Sequence, residues 1–141
     1  RYLGYRDGLE QSGLKFSEHL VAAGDNSIGS GEECAVQLLE HKDRPTAIFA
    51  ANDDMAAGVI RVADRLGIKV PEELSVAGCD DIALARQVYP ALTTINQPLA
   101  AIAERAAVAL IASVRGKRPL LGTEIVPASL RIRESTGPAP D

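Results

Sequence analysis

The stretch from Pro45 to Gly58, PTAIFAANDDMAAG, leaves this chain few folds to choose from. Ala47, Ile48, Phe49, Ala50 and Ala51 form a short apolar run, bounded by Pro45 before it and by Asn52, Asp53 and Asp54 after it. A run of this length without polar alternation predicts a strand buried on both faces, as in a parallel sheet. Met55, Val59, Ile60, Ala63 and Leu66 then recur at helical steps. Asn52 or Asp53 is the expected N-cap, and the acidic residues suit the positive end of a helix. The unit is a strand, a tight polar turn and a helix. Open parallel sheets bind ligands at the carboxyl ends of their strands, so Asn52 and Asp53 fall where a small polar ligand would be held.

The remaining chain continues this alternation. Residues 1–13 predict a short helix ending at Gly13, with Phe16 in the following turn. Residues 19–23 read as a strand. Ser30 is the expected cap of a helix reaching His41, with Cys34, Ala35, Leu38 and Leu39 on one face and Glu32 and Glu33 in the first turn. The strand at 46–51 and the helix at 53–66, ended by Gly67, follow. Leu74 to Gly78 predicts a buried strand running into Cys79-Asp80-Asp81, residues 82–88 a short helix or turn stopped by Pro90, and Leu92 to Asn96 another strand. Pro98 opens a long helix striped with Leu99, Ile102, Ala106, Leu110, Ile111 and Val114 and ended by Gly116. Residues 123–127 and 130–133 read as strands, and 137–141 as a loose tail. Alternation with short connections implies α/β architecture, an open parallel sheet flanked by helices with right-handed crossovers. Because the chain opens on a helix, the expected sheet is incomplete, with the first strand of the unit missing, and the chain reads as part of a larger two-domain protein.

Composition narrows the function. With 141 residues, 46% of them apolar, the chain can form one domain with a moderate core. A net charge of -4 argues against nucleic-acid binding by this segment. No apolar run approaches the roughly 20 residues of a membrane helix, and no secretory leader is visible. Cys34 and Cys79 stand alone without metal or redox spacing, which favours reduced cytoplasmic thiols.

Two acidic turns carry the chemistry: Asn52-Asp53-Asp54 and Cys79-Asp80-Asp81. If their strands are neighbours, the turns lie side by side and offer amide and carboxylate groups to a polyol or sugar. The plainer alternative is helix capping; we assign it to Asp53, and ligand contact to Asn52 and Asp80. His19 and His41 are remote from both turns, so a metal site is not expected. A catalytic site needs a nucleophile held against a base, and no such pair is evident; no cofactor is expected either. The Gly-rich segment 24–31 lacks the Lys of a phosphate loop and reads as a strand–helix connection.

Five segments in order identify a resemblance: RYLGYRDG at 1–8, PTAIFAAND at 45–53, VPEELSVAGCDD at 70–81, PALTTINQP at 90–98 and RIREST at 131–136. Nearly the whole chain resembles the effector-binding core of the LacI/GalR family of bacterial transcription repressors. The resemblance implies a core of two similar subdomains that binds a small effector in its cleft and forms a homodimer. Operator DNA would be bound only through an N-terminal helix-turn-helix outside this chain. Residues 1–97 would form most of the C-terminal subdomain. Residues 98–122 would be a helix and crossover packing on the N-terminal subdomain, and 123–136 the return strands.

The resemblance further implies that Arg1, Asn52 and Asp80 contact the effector, with Asp53 adjacent. Asn26 and Cys79 stand where relatives often place aromatic rings. It also implies a dimer contact through 55–62 and 82–89, involving Met55, Ala56, Val59, Ile82, Leu84, Val88 and Tyr89. The segment 82–89 is rich in apolar side chains for its length, which independently marks a partner surface. The expected function is effector binding, with a sugar as the expected ligand, and dimerisation in a cytoplasmic, non-enzymatic repressor. The alternatives are a periplasmic sugar-binding component of a transporter and an enzyme on a flavodoxin-like sheet.

Overall fold

The computed structural model describes residues 1–115 and 122–140. Helix α1 (Tyr2–Gln11) leads through a 3-10 turn at Glu18–Leu20 to α2 (Ile28–Leu39), β1 (Ala47–Phe49) and α3 (Asp53–Arg65). Then come β2 (Ser75–Asp80), a 3-10 turn at Ala83–Arg86, β3 (Thr93–Asn96), α4 (Leu99–Val114) and β4 (Ser129–Arg131). The sheet runs β1-β2-β3-β4, its first two pairings parallel and the last antiparallel. The chain is thus α/β with an open, mostly parallel sheet.

Local chemistry explains most boundaries. The Ser27 hydroxyl caps α2 by accepting the Ser30 amide, which places the helix start three residues earlier than expected and corrects the cap from Ser30 to Ser27. Glu32 and Glu33 therefore lie beyond the first turn; Glu32 instead pairs with Arg61 and Arg65 of α3. Asn52 caps α3 through the Met55 amide. Gly13 and Gly67 follow α1 and α3 with a φ of 69°, the left-handed step that commonly ends a helix.

Two strand expectations change. Residues 19–23 form a 3-10 turn followed by extended backbone at Val21; among the described residues no ladder partner meets them, and an extended segment without a partner is not a strand. Likewise, no strand forms at 123–127. Nor is β1 buried on both faces: Ile48 is buried, whereas Phe49 is 40% exposed. Among the described strands β1 pairs only with β2, so one edge of it is left open. A groove of about 250 Å³ lies there, bounded by Leu20, Val21 and Ala22 on one side and by Ala47 to Ala51 on the other.

The core sits between α2, α3 and the sheet. Met55, Ala56, Ala57, Val59, Ile60, Val62 and Ala63 of α3 are all buried, so the helix is enclosed on nearly every side along its first two turns. Ala35, Leu38 and Leu39 meet it from α2, and Leu74, Val76 and Leu92 from the sheet side. By contrast α4 buries none of its residues, leaving Leu99, Leu110, Ile111 and Val114 all more than half exposed. Its expected end at Gly116 lies outside the described residues.

The C-terminal segment 131–136 fastens the sheet. Ser135 is fully buried; its hydroxyl donates to the Val76 carbonyl and accepts the Thr93 amide, joining β2 to β3. The Glu134 carboxylate accepts the Ala91 amide, and Arg133 donates to the Leu92 carbonyl and the Asp81 carboxylate.

Helices α2 and α3 cross where Gly58 has no side chain. A Cβ there would stand 2.4 Å from the Ile28 carbonyl oxygen and 2.8 Å from the Glu32 nitrogen, both backbone atoms that cannot yield locally. Gly58→Ala is expected to separate the helices and cost about 1–3 kcal/mol or more. Urea unfolding compared with the parent chain measures it, and an unchanged midpoint contradicts this packing.

Candidate functional site

The site follows from the ends of β1 and β2. Phe49 is paired with Ala77, so counting onward brings Asn52 level with Asp80. Both turns therefore open at one edge of the sheet, where parallel strands place their ligands.

Each predicted residue has a definite place. Arg1 reaches back from the start of α1, and its Nη2 donates to Asp80 Oδ1 at 3.1 Å. Gln97, just past β3, donates its Nε2 to the same oxygen at 2.5 Å. Asn52 spans two elements: its Oδ1 accepts the Met55 amide while its Nδ2 donates to the Asn26 carbonyl at 2.9 Å. Asn26 has a φ of 71° and Asp80 one of 120°. Non-glycine residues seldom occupy this half of conformational space, and when they do they cluster at functional sites. The structure thus joins Arg1 to Asp80 and Asn26 to Asn52. Gln97 had no signal in the sequence, because it precedes Pro98 in a segment readable only as a strand-to-helix connection.

The assignment of roles within Asn52-Asp53 is reversed from expectation. Asn52 is the cap. Asp53 is fully buried, and its carboxylate accepts the Thr94 hydroxyl at 2.5 Å and the Ile82 amide at 2.9 Å. It has no face toward a ligand, so Asp53 is removed from the contact set. A Cβ at residue 78 would lie 2.5 Å from Asp53 Oδ1, and glycine at that position leaves the carboxylate its room.

Asp81 is a second inward carboxylate, its side chain 2% exposed. It accepts Arg133 Nη2 at 2.5 Å, Asn96 Nδ2 at 2.9 Å and Arg86 Nη2 at 3.3 Å. Burial alone would push its carboxyl upward, yet Arg133, Asn96 and Arg86 together outweigh that and hold it below its ordinary value. Near the Asn26 turn, the Asp25 carboxyl is pulled down to about 2, first by the Ser27 hydroxyl and then by Ser30. Among the described residues no group of three or more His, Cys, Asp or Glu could hold a metal ion.

The residues expected in a dimer contact divide. Met55, Ala56 and Val59 are 7%, 0% and 3% exposed and face this chain's own core, so they offer nothing to a second copy. The reason is that α2 and the sheet together enclose α3. Tyr89 is 88% exposed and Ile82 38%, whereas Leu84 and Val88 are half-buried.

An open, mostly parallel sheet flanked by helices defines the class of fold, and comparison with known proteins places the chain within it. The periplasmic binding protein-like domain family matches residues 1–136, so the chain belongs to that family. The HTH-type transcriptional repressor PurR of Pectobacterium carotovorum subsp. carotovorum (strain PC1) is 41% identical over 118 residues, 84% of this chain and 35% of that protein. The dimeric Lac repressor with an 11-residue C-terminal deletion superposes with a TM-score of 0.89 at 31% identity, over 100% of this chain and 50% of that one. A transcriptional regulator CelR–cellobiose complex gives a TM-score of 0.84 at 34% identity, over 94% and 40%. More particularly, the chain is a fragment of the effector-binding core of a LacI/GalR-family protein. It spans about a third of the length of the curated relative.

The depressed Asp81 carboxyl makes a signed prediction. A folded-state value below the unfolded one adds stability that is fully present above the ordinary carboxylate value of 3.8 and is lost as pH falls through the folded value. Asp81→Asn should therefore cost about 1–3 kcal/mol at pH 7, and its difference from the parent should shrink below pH 3.8. Denaturant melts at a series of pH values check this; a difference independent of pH contradicts it.

Proposed function

We propose that this chain is the effector-binding and self-association part of a bacterial transcriptional repressor, and that its effector is a sugar or related polyol. In this reading residues 1–97 belong to the C-terminal subdomain, 98–122 reach toward an N-terminal one, and 123–136 return. Operator DNA is engaged elsewhere in the whole cytoplasmic protein. The observation that carries the ligand reading is the cluster at Asp80. A guanidinium and a carboxamide converge on one oxygen of a carboxylate, leaving its second oxygen, the Gln97 carbonyl and the remaining Arg1 donors for hydroxyl groups. Asn26 and Cys79 put no aromatic ring at their positions, so the ligand would be held by hydrogen bonds rather than by stacking. The cellobiose named for one structural relative supports the same class.

Calorimetry on the whole protein with cellobiose, ribose and adenine tests this. A saccharide is expected to bind, and Asp80→Ala to weaken it by about 1–3 kcal/mol with little change in melting temperature. Binding of adenine alone, or saccharide affinity unchanged by Asp80→Ala, overturns the assignment.

Self-association is proposed through the segment Ile82–Tyr89 without the buried half of α3. A two-fold contact would set this segment against its own copy. Tyr89 is almost fully exposed, so Tyr89→Glu should give monomers that remain folded. Sedimentation velocity reads the outcome, and a dimer indifferent to the substitution places the contact elsewhere.

A further inference from the structure

The two turns at the site share an arrangement that effector contact alone does not require. Each holds one residue at the open edge, Asn52 or Asp80, and the next residue turned inward, Asp53 or Asp81. Both inward carboxylates end on the same segment. Asp53 Oδ2 accepts the amide of Ile82, where that segment begins, and Asp81 accepts the guanidinium of Arg86 within it. Their other oxygens or bonds reach the far strands: Asp53 Oδ1 accepts Thr94, and Asp81 accepts Asn96 and Arg133.

We infer that Asp53 and Asp81 are positioning residues that couple the edge at Asn52 and Asp80 to the segment Ile82–Tyr89, so that a change at the edge is registered in the placement of that segment. The inference deepens the effector-site reading above and rests on it for its biological input, though the coupling itself is a property of the chain. Geometry supplies the reasons. Asn52 lies 30 positions from Ile82 in the chain, yet one peptide step and one hydrogen bond join them through Asp53. That carboxylate is fully buried, lies against the bare Cα of Gly78 and is held by Thr94 and Ile82, so it has little freedom to absorb a displacement locally. Asp80 and Asp81 both hold left-handed backbone, with φ of 120° and 57°. Such a turn keeps its shape only while surrounding bonds over-determine it, and those bonds are the ones Asp81 makes. A ligand that draws on Asp80 therefore acts on a turn whose relaxation path runs toward Arg86 and Ile82. By reciprocity, fixing the segment in one position changes affinity at the edge by the same factor.

The coupling can be read without a ligand. In the 15N-labelled chain, Asn52→Ser keeps an oxygen cap on α3 but removes the amide donor to Asn26. Asp80→Asn removes the charge facing Arg1. Neither residue alters the intrinsic exchange chemistry of the Ile82 amide, which depends on its immediate neighbours. Each variant is expected to change Ile82 amide hydrogen exchange by threefold or more, while Val62 in the middle of the core exchanges as in the parent. Asp80→Asn is also expected to change exchange at the Val88 amide, and Arg86→Gln, whose arginine is largely exposed, tests the second connection by abolishing that change; a Val88 response that survives Arg86→Gln overturns the role of Asp81. Unchanged Ile82 exchange in both edge variants overturns the inference. So does a change of equal size at Val62, which would mean general destabilisation. Addition of cellobiose to the whole protein separates the two readings. Saturable binding with no response at Ile82 defeats the coupling and leaves the effector site standing. A response to the edge variants without saccharide binding leaves the coupling standing and defeats the ligand assignment.

Discussion

The bonds of Asp53 hold this structure in register. A carboxylate withdrawn completely from water is costly unless its oxygens are satisfied. Here one oxygen takes the Thr94 hydroxyl of β3 and the other the Ile82 amide, while the residue itself begins α3, at the positive end of that helix. One side chain thereby joins the turn after β1, the segment after β2 and the body of β3. Gly78 is part of the same constraint, since any side chain on that strand position would occupy the carboxylate's place.

The edge at Asn52 and Asp80 depends on that tie. With Asp53 fixed, Asn52 is left at the surface to cap the helix and to reach the Asn26 carbonyl. With Asp81 clamped by Arg133, Asn96 and Arg86, Asp80 is turned outward toward Arg1 and Gln97. In both turns an inward acid positions an outward polar residue. Polar groups that are already oriented by the fold lose less freedom when they take up a ligand, which is the physical advantage of presenting them on strand ends rather than on a loose loop.

Apolar surface is distributed unevenly around this centre. The α3 helix is enclosed along its first two turns, whereas α4 buries none of its residues and Phe49 borders an open groove beside β1. Tyr89 stands almost clear of the chain.

Much of the fold was legible in the sequence. The helical spacing of Met55, Val59, Ile60 and Ala63, and the short length and turn-forming flanks of the apolar runs before Asn52 and Asp80, point to one element each, and the structure forms α3, β1 and β2 there. The adjacency of the two acidic turns was conditional on their strands being neighbours, and the parallel pairing of β1 with β2 decided it. Residues 19–23 failed as a strand because pairing is a property of two segments, and composition describes only one. Ser27 and Ser30 are both acceptable caps by residue type, and the backbone path chose between them. The sequence by itself therefore determined the alternation of elements, the polar chemistry at their ends and the family. Only the tertiary structure decided which member of each acidic pair turns inward. Asn and Asp are equally able to cap or to contact a ligand, and the choice rests on contacts with Thr94, Ile82, Arg86 and Arg133, which lie 5 to 52 positions away in the chain.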